Sequence, residues 1–250
     1  MPTFRLRLEY DGTDFAGWQT QAAGVRTVQG TLEAALARIA GEPVGVVGAG
    51  RTDAGVHAEG QVASLRLETR LDAAALGRAL NAILPPDLAV REAAEAAPDF
   101  HALRDARAKR YRYQVWNGRV RSPLRARRFH WTPLPLDLGA MRVAAAACVG
   151  RHDFACFETR SSEHPDPGHS TVRRLDAVAV HGVAGGEIAI TVDGEGFLRH
   201  MVRSLAGTLL EAGAGRRDPA GMPALLAGRD RRQAGPTAPA AGLVLVRVDY

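Results

Sequence analysis

The stretch Gly48-Ala-Gly-Arg-Thr-Asp-Ala-Gly-Val-His-Ala-Glu-Gly60 separates two apolar segments in the first half of the chain. Four of its thirteen residues are glycine, which adopts positive φ and lets other groups approach the backbone closely. The apolar run Val44–Val47 enters this stretch, and Gln61–Leu67 leaves it with apolar residues at alternate positions. This pattern predicts a tight loop that carries charged side chains between two strands.

Asp53 is the candidate nucleophile of this loop. Arg51 lies two residues earlier, and residues two apart share one face of an extended backbone. A guanidinium beside a carboxyl group favours its ionised form, which suits a nucleophile better than a general acid. A loop ion pair with a solvated carboxylate explains the same residues, so the spacing alone leaves both interpretations open.

The composition is typical of a globular protein that can bury a core. With 250 residues, the chain can form one large domain or two smaller ones. Lys and Arg total 32 against 27 Asp and Glu, a net charge of +5. Nearly all of the positive charge is arginine, which contacts phosphate through a planar, bidentate group. The balance favours a nucleic-acid partner.

Several function classes are disfavoured by the sequence. Cys148 and Cys156 are the only cysteines, so neither a disulfide framework nor a cysteine zinc site is expected, and a cytoplasmic location is the simplest. No apolar run reaches the ~18 residues of a membrane span, and Met1–Leu8 predicts a strand rather than a signal peptide. Phosphate-binding loops, dinucleotide fingerprints and serine-hydrolase elbows are missing.

Two successive segments of the chain have the same predicted order of elements. In the first, the predicted strands and helices are Phe4–Tyr10, helix Val28–Ile39, Val44–Val47, Val62–Leu67, helix Ala73–Leu84 and Leu88–Arg91. In the second they are Arg110–Trp116, helix Leu138–Cys148, Val172–Val180, Glu187–Val192, helix Leu198–Ala212, an inserted helical segment Pro219–Leu226 and Leu243–Val248. The order β-α-β-β-α-β, twice, predicts an α+β protein with two ferredoxin-like halves, residues 1–100 and 101–250.

Two polar segments, Glu158–Ser170 and Arg229–Ala241, lack periodicity and contain Pro and Gly. Segments of this kind are functional or disordered, and we expect both to be mobile. Phe15 and Trp18 follow the first strand and could either stack on a base or anchor their loop in the core.

The densest basic and aromatic stretch is Arg104–Tyr113, in which Arg110 and Arg112 could contact phosphate. A solvated polar face over half-buried tyrosines is the alternative. Arg199 and Arg203 lie one turn apart on a predicted helix, as RNA contacts or as an exposed flank. Five further arginines add to the positive surface: Arg119, Arg121, Arg125, Arg127 and Arg128.

His57 follows Asp53 by four residues, a spacing that also suggests a metal site or a metal-assisted nuclease. No second set of His, Asp or Glu with ligand spacing accompanies the pair, so we expect no metal.

Taken in order, these segments resemble the TruA family of tRNA pseudouridine synthases nearly from end to end. The motifs that carry the resemblance are Tyr10-Asp-Gly-Thr-Asp-Phe-Ala-Gly-Trp-Gln19, Val28-Gln29, Gly48-Ala-Gly-Arg-Thr-Asp-Ala-Gly-Val-His57, Leu80-Asn-Ala-Ile-Leu-Pro85, Phe100-His-Ala102, Tyr111-Arg-Tyr113, Gly150-Arg-His-Asp-Phe154, Gly196-Phe-Leu-Arg-His-Met-Val-Arg203 and Gly242-Leu-Val-Leu245. Against this ordered set, the solvated ion pair at Asp53 is no longer an equal alternative.

The resemblance implies an isomerase that converts uridine to pseudouridine at positions 38, 39 and 40 of the tRNA anticodon stem-loop. It implies a homodimer without cofactor or metal, with Asp53 as nucleophile and Arg51 paired with it. Tyr111 resembles the tyrosine that stacks on the target base, and Leu243 resembles a packing residue at the floor of the site. Asp53 could attack the ribose or the base, or remove a sugar proton; the sequence leaves these routes open.

The resemblance also implies the pseudouridine synthase fold, with both halves in one extended mixed antiparallel sheet. Helices are expected on one face and a basic active-site cleft on the other, between Asp53 and Tyr111. The alternative function is a non-catalytic RNA-binding module, because repeated β-α-β-β-α-β units with aromatic residues on strands are typical of RNA-recognition sheets. That alternative leaves Asp53 without a role.

Overall fold

A computed structural model describes residues 1–22, 24–159 and 170–250 of the chain. The predicted mobile segment Glu158–Ser170 therefore lies almost entirely outside the described residues. The chain forms two compact units, Met1–Arg107 with Val244–Tyr250, and Ala108–Leu243. The assignment of the catalytic loop to residues 1–100 and of the base-stacking tyrosine to residues 101–250 stays a prediction.

The regular elements follow the predicted order closely. The strands are β1 (Thr3–Tyr10), β2 (Val46–Gly48), β3 (His57–Arg66), β4 (Leu88–Ala96), β5 (Ala108–Trp116), β6 (His130–Trp131), β7 (Gly150–Asp153), β8 (Val172–Val183), β9 (Glu187–Gly194) and β10 (Leu243–Asp249). The helices are α1 (Val28–Ala40), α2 (Ala73–Ile83), α3 (Leu138–Ala146), α4 (Met201–Gly213) and α5 (Met222–Gly228). Both units combine strands with helices, so the predicted α+β class is confirmed.

The sheet of the first unit is built around β1, which lies antiparallel between β3 and β4. The short β2 pairs antiparallel with β3. The last strand, β10, runs parallel to β3, with Val244 opposite His57 and Leu245 opposite Ala58. Its place in the sequence puts β10 in the second half, but Val244–Tyr250 belong to the first unit. Alternation identifies a strand without identifying its partner.

Helix α1 shows how local sequence sets the limits of an element. The Thr27 side chain accepts a hydrogen bond from the Gly30 N–H at its start, and Gly41 adopts φ 78° at its end. Both caps are the ones that the sequence predicts. Leu32 and Leu36 of the apolar stripe of α1 are completely buried, and Ile39 at its end is half-buried, so burial of one face stabilises the helix against its sheet.

In the second unit, β9 lies antiparallel between β5 and β8. The β8–β9 connection is the predicted hairpin, and Gly185 and Gly186 take positive φ in its turn. Two strands were not predicted: β6 pairs parallel with β5, and β7 pairs antiparallel with β8. With two and four residues, they are too short to show alternation.

Helix α4 begins later than predicted. The chain takes a left-handed conformation at His200, with φ 62°, and the helix starts at Met201. Arg199 therefore precedes the helix, and its carbonyl accepts a hydrogen bond from Thr159 N–H. The prediction that Arg199 and Arg203 lie one turn apart on a helix face is therefore wrong. The sequence suggested a longer helix because the apolar residues before His200 continue the helical spacing.

The segment Arg229–Ala241, predicted to be mobile, is packed against α4, so that prediction is wrong. Together with Gly242 it is called the 229–242 segment below. The Arg231 guanidinium donates to Gly235 O at 2.9 Å and to Thr237 Oγ1 at 2.8 Å. A Cβ on Gly207 of α4 would lie only 1.9 Å from Pro236 O. The Gly and Pro residues that suggested mobility instead allow the segment to lie directly on the helix backbone.

No helix in the described part of the chain combines the length and the apolar character needed to cross a membrane.

Candidate active site

The loop of residues 49–56, here called the Asp53 loop, connects β2 to β3. Val56 N–H donates to Asp53 O at 3.1 Å, which closes a tight turn that starts at Asp53. Gly55, inside this turn, adopts φ 77°, a conformation that glycine takes without steric cost. The loop predicted from the glycine-rich sequence is therefore present, with Asp53 at the first position of its turn.

Buried polar side chains fix the residues just before Asp53. The hydroxyl groups of Tyr10 and Thr52 lie 2.9 Å apart in a hydrogen bond. Burial raises the pKa of Tyr10 to about 12, so its hydroxyl stays protonated near neutral pH. Gln61, fully buried on β3, donates to Gly50 O at 2.8 Å. Two positions of the loop are thus attached to strands of the sheet.

A second turn, after β1, packs directly against the Asp53 loop. Trp18 N–H donates to Thr52 O at 3.0 Å. Gly17 adopts φ 96°, and a Cβ there would lie 2.7 Å from Thr52 O. The motif Tyr10–Gln19 and the glycine-rich motif, distant in sequence, are therefore two sides of one rigid structure.

Phe15 and Trp18 anchor this structure in the core. They are 3% and 2% exposed, and the Arg26 guanidinium lies 4.0 Å from the centre of the Phe15 ring. The anchoring interpretation of the two aromatic residues is confirmed. Stacking of either ring on an RNA base is not compatible with this burial.

His57 stabilises the neighbouring turn. Its Nδ1 accepts a hydrogen bond from Gly12 N–H at 3.0 Å, so Nδ1 carries no proton. Asp11 Oδ1 is 3.2 Å from the same nitrogen, but it accepts from both the N–H and the hydroxyl of Thr13. Among the described residues, no cluster of three or more His, Cys, Asp or Glu could hold a metal.

The two candidate catalytic residues differ in exposure. Asp53 is half-buried, whereas Arg51 is exposed to solvent. Asp53 is therefore a partly covered residue at the start of a constrained turn. The pairing of Arg51 with Asp53 stays a prediction.

Tyr111 and Tyr113 share one face of β5, as predicted, but their environments differ. Tyr113 is completely buried, its hydroxyl donates to Pro239 O at 2.9 Å, and burial raises its pKa. Tyr111 is 8% exposed and contacts Phe197 edge to face, with ring centres 5.1 Å apart. Both tyrosines are buried, and the assignment of Tyr111 to base stacking stays a prediction.

The candidate RNA-binding residues lie on several elements of the second unit. Arg110 forms a bidentate salt bridge with Asp193, at 2.6 and 3.0 Å, and Arg112 donates to Gln114. Arg203 donates to Ala238 O at 2.8 Å, which ties α4 to the 229–242 segment, and Arg199 is exposed. The RNA contacts of these four arginines stay predictions.

Leu243, the candidate packing residue, is the first residue of β10 and is 6% exposed. Three positioning residues were not singled out from the sequence: Tyr10, Thr52 and Gln61. Gln61 could have been singled out, because it shares the face of Ala63, Leu65 and Leu67 in the alternating pattern and is the only polar residue of these four. Nothing in the sequence indicates that the Tyr10 and Thr52 hydroxyls meet.

Comparisons with known proteins show which proteins this chain is similar to. A family model described as tRNA pseudouridine synthase matches residues 8–103 and 144–250. A protein of Myxococcus xanthus named tRNA pseudouridine synthase A is 49% identical over all of this chain and 92% of its own length. A protein of the same name from Pelobacter propionicus is 48% identical over 100% of both chains. One solved structure, the archaeal box H/ACA sRNP Nop10-Cbf5 complex, aligns with 83% of this chain and 44% of that chain, at 15% identity and a TM-score of 0.32.

The chain belongs to the tRNA pseudouridine synthase family. This membership confirms the predicted pseudouridine synthase fold and the enzyme class, which is that of an isomerase.

Proposed function

We propose that the chain isomerises uridine to pseudouridine at positions 38, 39 and 40 of the tRNA anticodon stem-loop, with Asp53 as the nucleophile. The observation that carries this proposal is the position of Asp53 at the start of a turn that is fixed on both sides. The names of the relatives support tRNA as the substrate. We further propose that the enzyme acts in the cytoplasm as a homodimer.

The reaction needs no atoms beyond those of the uridine. The bond between N1 and C1′ breaks, the uracil turns, and a bond forms between C5 and C1′. The proton lost from C5 is balanced by the proton gained at N1. An anionic Asp53 serves this sequence either by attacking the ribose or the base, or by removing a sugar proton.

A rigid Asp53 loop matters because a displacement of about 1 Å can lower a rate by about 10²-fold. The hydrogen bonds of Thr52 and Gly50 hold the loop that carries Asp53, which supports a site that is ordered before the substrate arrives. Little conformational entropy then remains to be lost when the base enters. The exposed Arg51 is proposed to approach Asp53 and to hold its charge as the site closes around RNA.

Tyr111 is proposed to receive the target base once it leaves the RNA stack. Enzymes that act on a base in a duplex extrude it and hold it against aromatic or apolar side chains. Phe197 fixes the plane of the Tyr111 ring through its edge-to-face contact. Leu243 is proposed to close the floor of the site as an apolar surface.

The test replaces Asp53 by asparagine, which keeps the size of the side chain and removes its charge. We expect Asp53→Asn to lower pseudouridine formation by at least about 10³-fold, because a catalytic nucleophile is lost. Affinity for tRNA should remain near that of the wild type. The matched control is Asp99→Asn, an exposed position in the same unit, which should retain full activity.

Pseudouridine is located by carbodiimide labelling of tRNA from cells that lack this protein, before and after treatment with purified enzyme. Turnover by Asp53→Asn would refute the nucleophile. Products outside positions 38, 39 and 40 would refute the proposed target. A wild-type protein that binds tRNA and leaves every uridine unmodified would instead be the non-catalytic binding module.

A further inference from the structure

Residues 117–131, here called the basic arm, lie between β5 and the end of β6. The arm contains five arginines and no carboxylate: Arg119, Arg121, Arg125, Arg127 and Arg128. Its formal charge therefore equals the net charge of the whole chain, +5. The arm also lies between the two ranges that the family model matches.

Two tryptophans fix the backbone of the basic arm. The indole N–H of Trp116 donates to Val120 O at 2.9 Å, and that of Trp131 donates to Gly118 O at 2.9 Å. Asn117 donates its side-chain amide to two carbonyl groups just beyond the arm, at 2.9 and 2.7 Å. The arm is therefore a built structure that presents its side chains in defined positions.

One arginine has a structural role within the arm. Arg125 forms a salt bridge with Glu187 at 2.6 Å, and its guanidinium lies 4.5 Å from the Trp116 ring and 6.0 Å from the Phe129 ring. The other four arginines of the arm are exposed. Much of the positive charge is thus on the surface, on a backbone that Arg125 helps to hold.

Two apolar side chains of the arm are highly exposed. Leu124 is 96% exposed and Val120 is 74% exposed, among the most exposed large apolar residues in the described chain. Water-exposed apolar side chains surrounded by cations fit a ligand that combines negative charge with flat apolar surface. RNA has both properties, because its phosphates are anionic while the carbon atoms of its riboses and the faces of unstacked bases are apolar.

We propose that the basic arm binds the tRNA backbone, with Arg119 and Arg121 on phosphates and Leu124 against the sugars. This inference rests on the proposed function, because it takes tRNA as the substrate. Exposed arginines on phosphate gain affinity by releasing counterions. A second copy of the chain is a poorer occupant, because a two-fold contact places the same surface on both sides and brings like charges together.

The test removes charge from the arm without touching its framework. We expect the double variant Arg119→Gln and Arg121→Gln to raise Kd and KM for tRNA about tenfold at ~0.15 M salt. The turnover number should change less than about twofold, and the slope of log Kd against log salt should fall by about 1–2. The matched control is Arg70→Gln with Arg78→Gln, two exposed arginines of the first unit.

The proposal is overturned if the arm variant and the matched control have the same Kd, KM and salt slope. It is also overturned if Leu124→Ser turns a dimer into a monomer by light scattering while the arginine variant binds tRNA normally, since the arm is then a contact between copies. A wild-type protein without activity, whose arm variant nevertheless binds tRNA more weakly, would refute the proposed function and leave the arm as an RNA-binding surface.

Discussion

The Asp53 loop and the 229–242 segment are both irregular, and each lies against a glycine that permits close approach of two backbones. The Asp53 loop is held largely by buried hydroxyl and amide groups, Tyr10 and Gln61, that reach it from strands. The 229–242 segment is held by arginines, as Arg231 binds its carbonyl and hydroxyl groups and Arg203 binds Ala238 O. In this protein, two segments without regular secondary structure are nevertheless held by specific contacts.

The two regions differ in the property that should change when each of them is displaced. In the proposed site, the Asp53 loop must keep one carboxylate in place, so small displacements should change the rate of reaction. The 229–242 segment covers α4, whose inner face is buried, so its displacement should first change stability. The substitutions below separate these two consequences, from the largest expected effect to the smallest.

Gly17→Ala should have the largest effect. The new Cβ would meet Thr52 O at 2.7 Å and would push the Asp53 loop away from its position. We expect pseudouridine formation to fall by about 10²-fold or more, measured as initial rate on tRNA. Gly41→Ala is the matched control, since Gly41 also has positive φ but has nothing within 4 Å of its Cβ position. Equal rates in the two variants would show that the contact with Thr52 does not position Asp53.

Gly207→Ala should destabilise the protein, although alanine normally stabilises a helix. A Cβ at this position would lie 1.9 Å from Pro236 O, so α4 and the 229–242 segment must separate. We expect a loss of about 1–3 kcal/mol in the free energy of unfolding, measured by urea denaturation. Gly77→Ala on α2, where the nearest atom is 3.4 Å away, should be neutral or stabilising. A stable Gly207→Ala variant would contradict the tight packing of the segment.

Tyr10→Phe should have a smaller effect on stability and a clear effect on rate. The substitution removes the buried hydroxyl that hydrogen-bonds with Thr52 and Gln61, at a cost of about 1 kcal/mol or more in the free energy of unfolding. We expect the turnover number to fall several-fold while KM for tRNA stays the same, because only the Asp53 loop loosens. A change confined to KM would indicate that Tyr10 acts in substrate binding. It would contradict the proposal that the Asp53 loop controls the rate of reaction through the position of Asp53.

His130, on β6 at the end of the basic arm, should have the smallest effect. Burial lowers the pKa of His130 below its usual 6.5, so the unfolded chain binds a proton more readily than the folded one. Stability from this residue is therefore present above pH ~6.5 and falls as the pH drops towards the folded pKa. We expect His130→Asn to show a shallower decrease of Tm between pH 7 and ~5. An identical decrease in both proteins would exclude a contribution from His130.

The sequence was sufficient wherever the information is local or short in range. Thr27 and Gly41 mark the ends of α1, alternation marks the longer strands, and the glycines around Asp53 indicate its loop. The sequence was insufficient at β6 and β7, whose two and four residues are too few to show alternation. It was also insufficient at His200, whose left-handed conformation breaks a continuous apolar spacing. The prediction of a mobile loop in the 229–242 segment was also wrong. It was made from polar residues, Gly and Pro, and this composition does not show what the segment packs against.

By itself, then, the sequence determined the α+β class and the order of most elements, since these depend on periodicity and on residue type. The glycine-rich loop indicated Asp53, and the resemblance of the ordered motifs to a known family added the roles of Asp53 and Tyr111. The tertiary structure alone decided the parallel pairing of β10 with β3 and the contact of Gly17 with Thr52. It also showed that Tyr111 and Tyr113 are both buried. The physical reason is that contacts between distant residues depend on three-dimensional packing, which no single segment of the chain encodes.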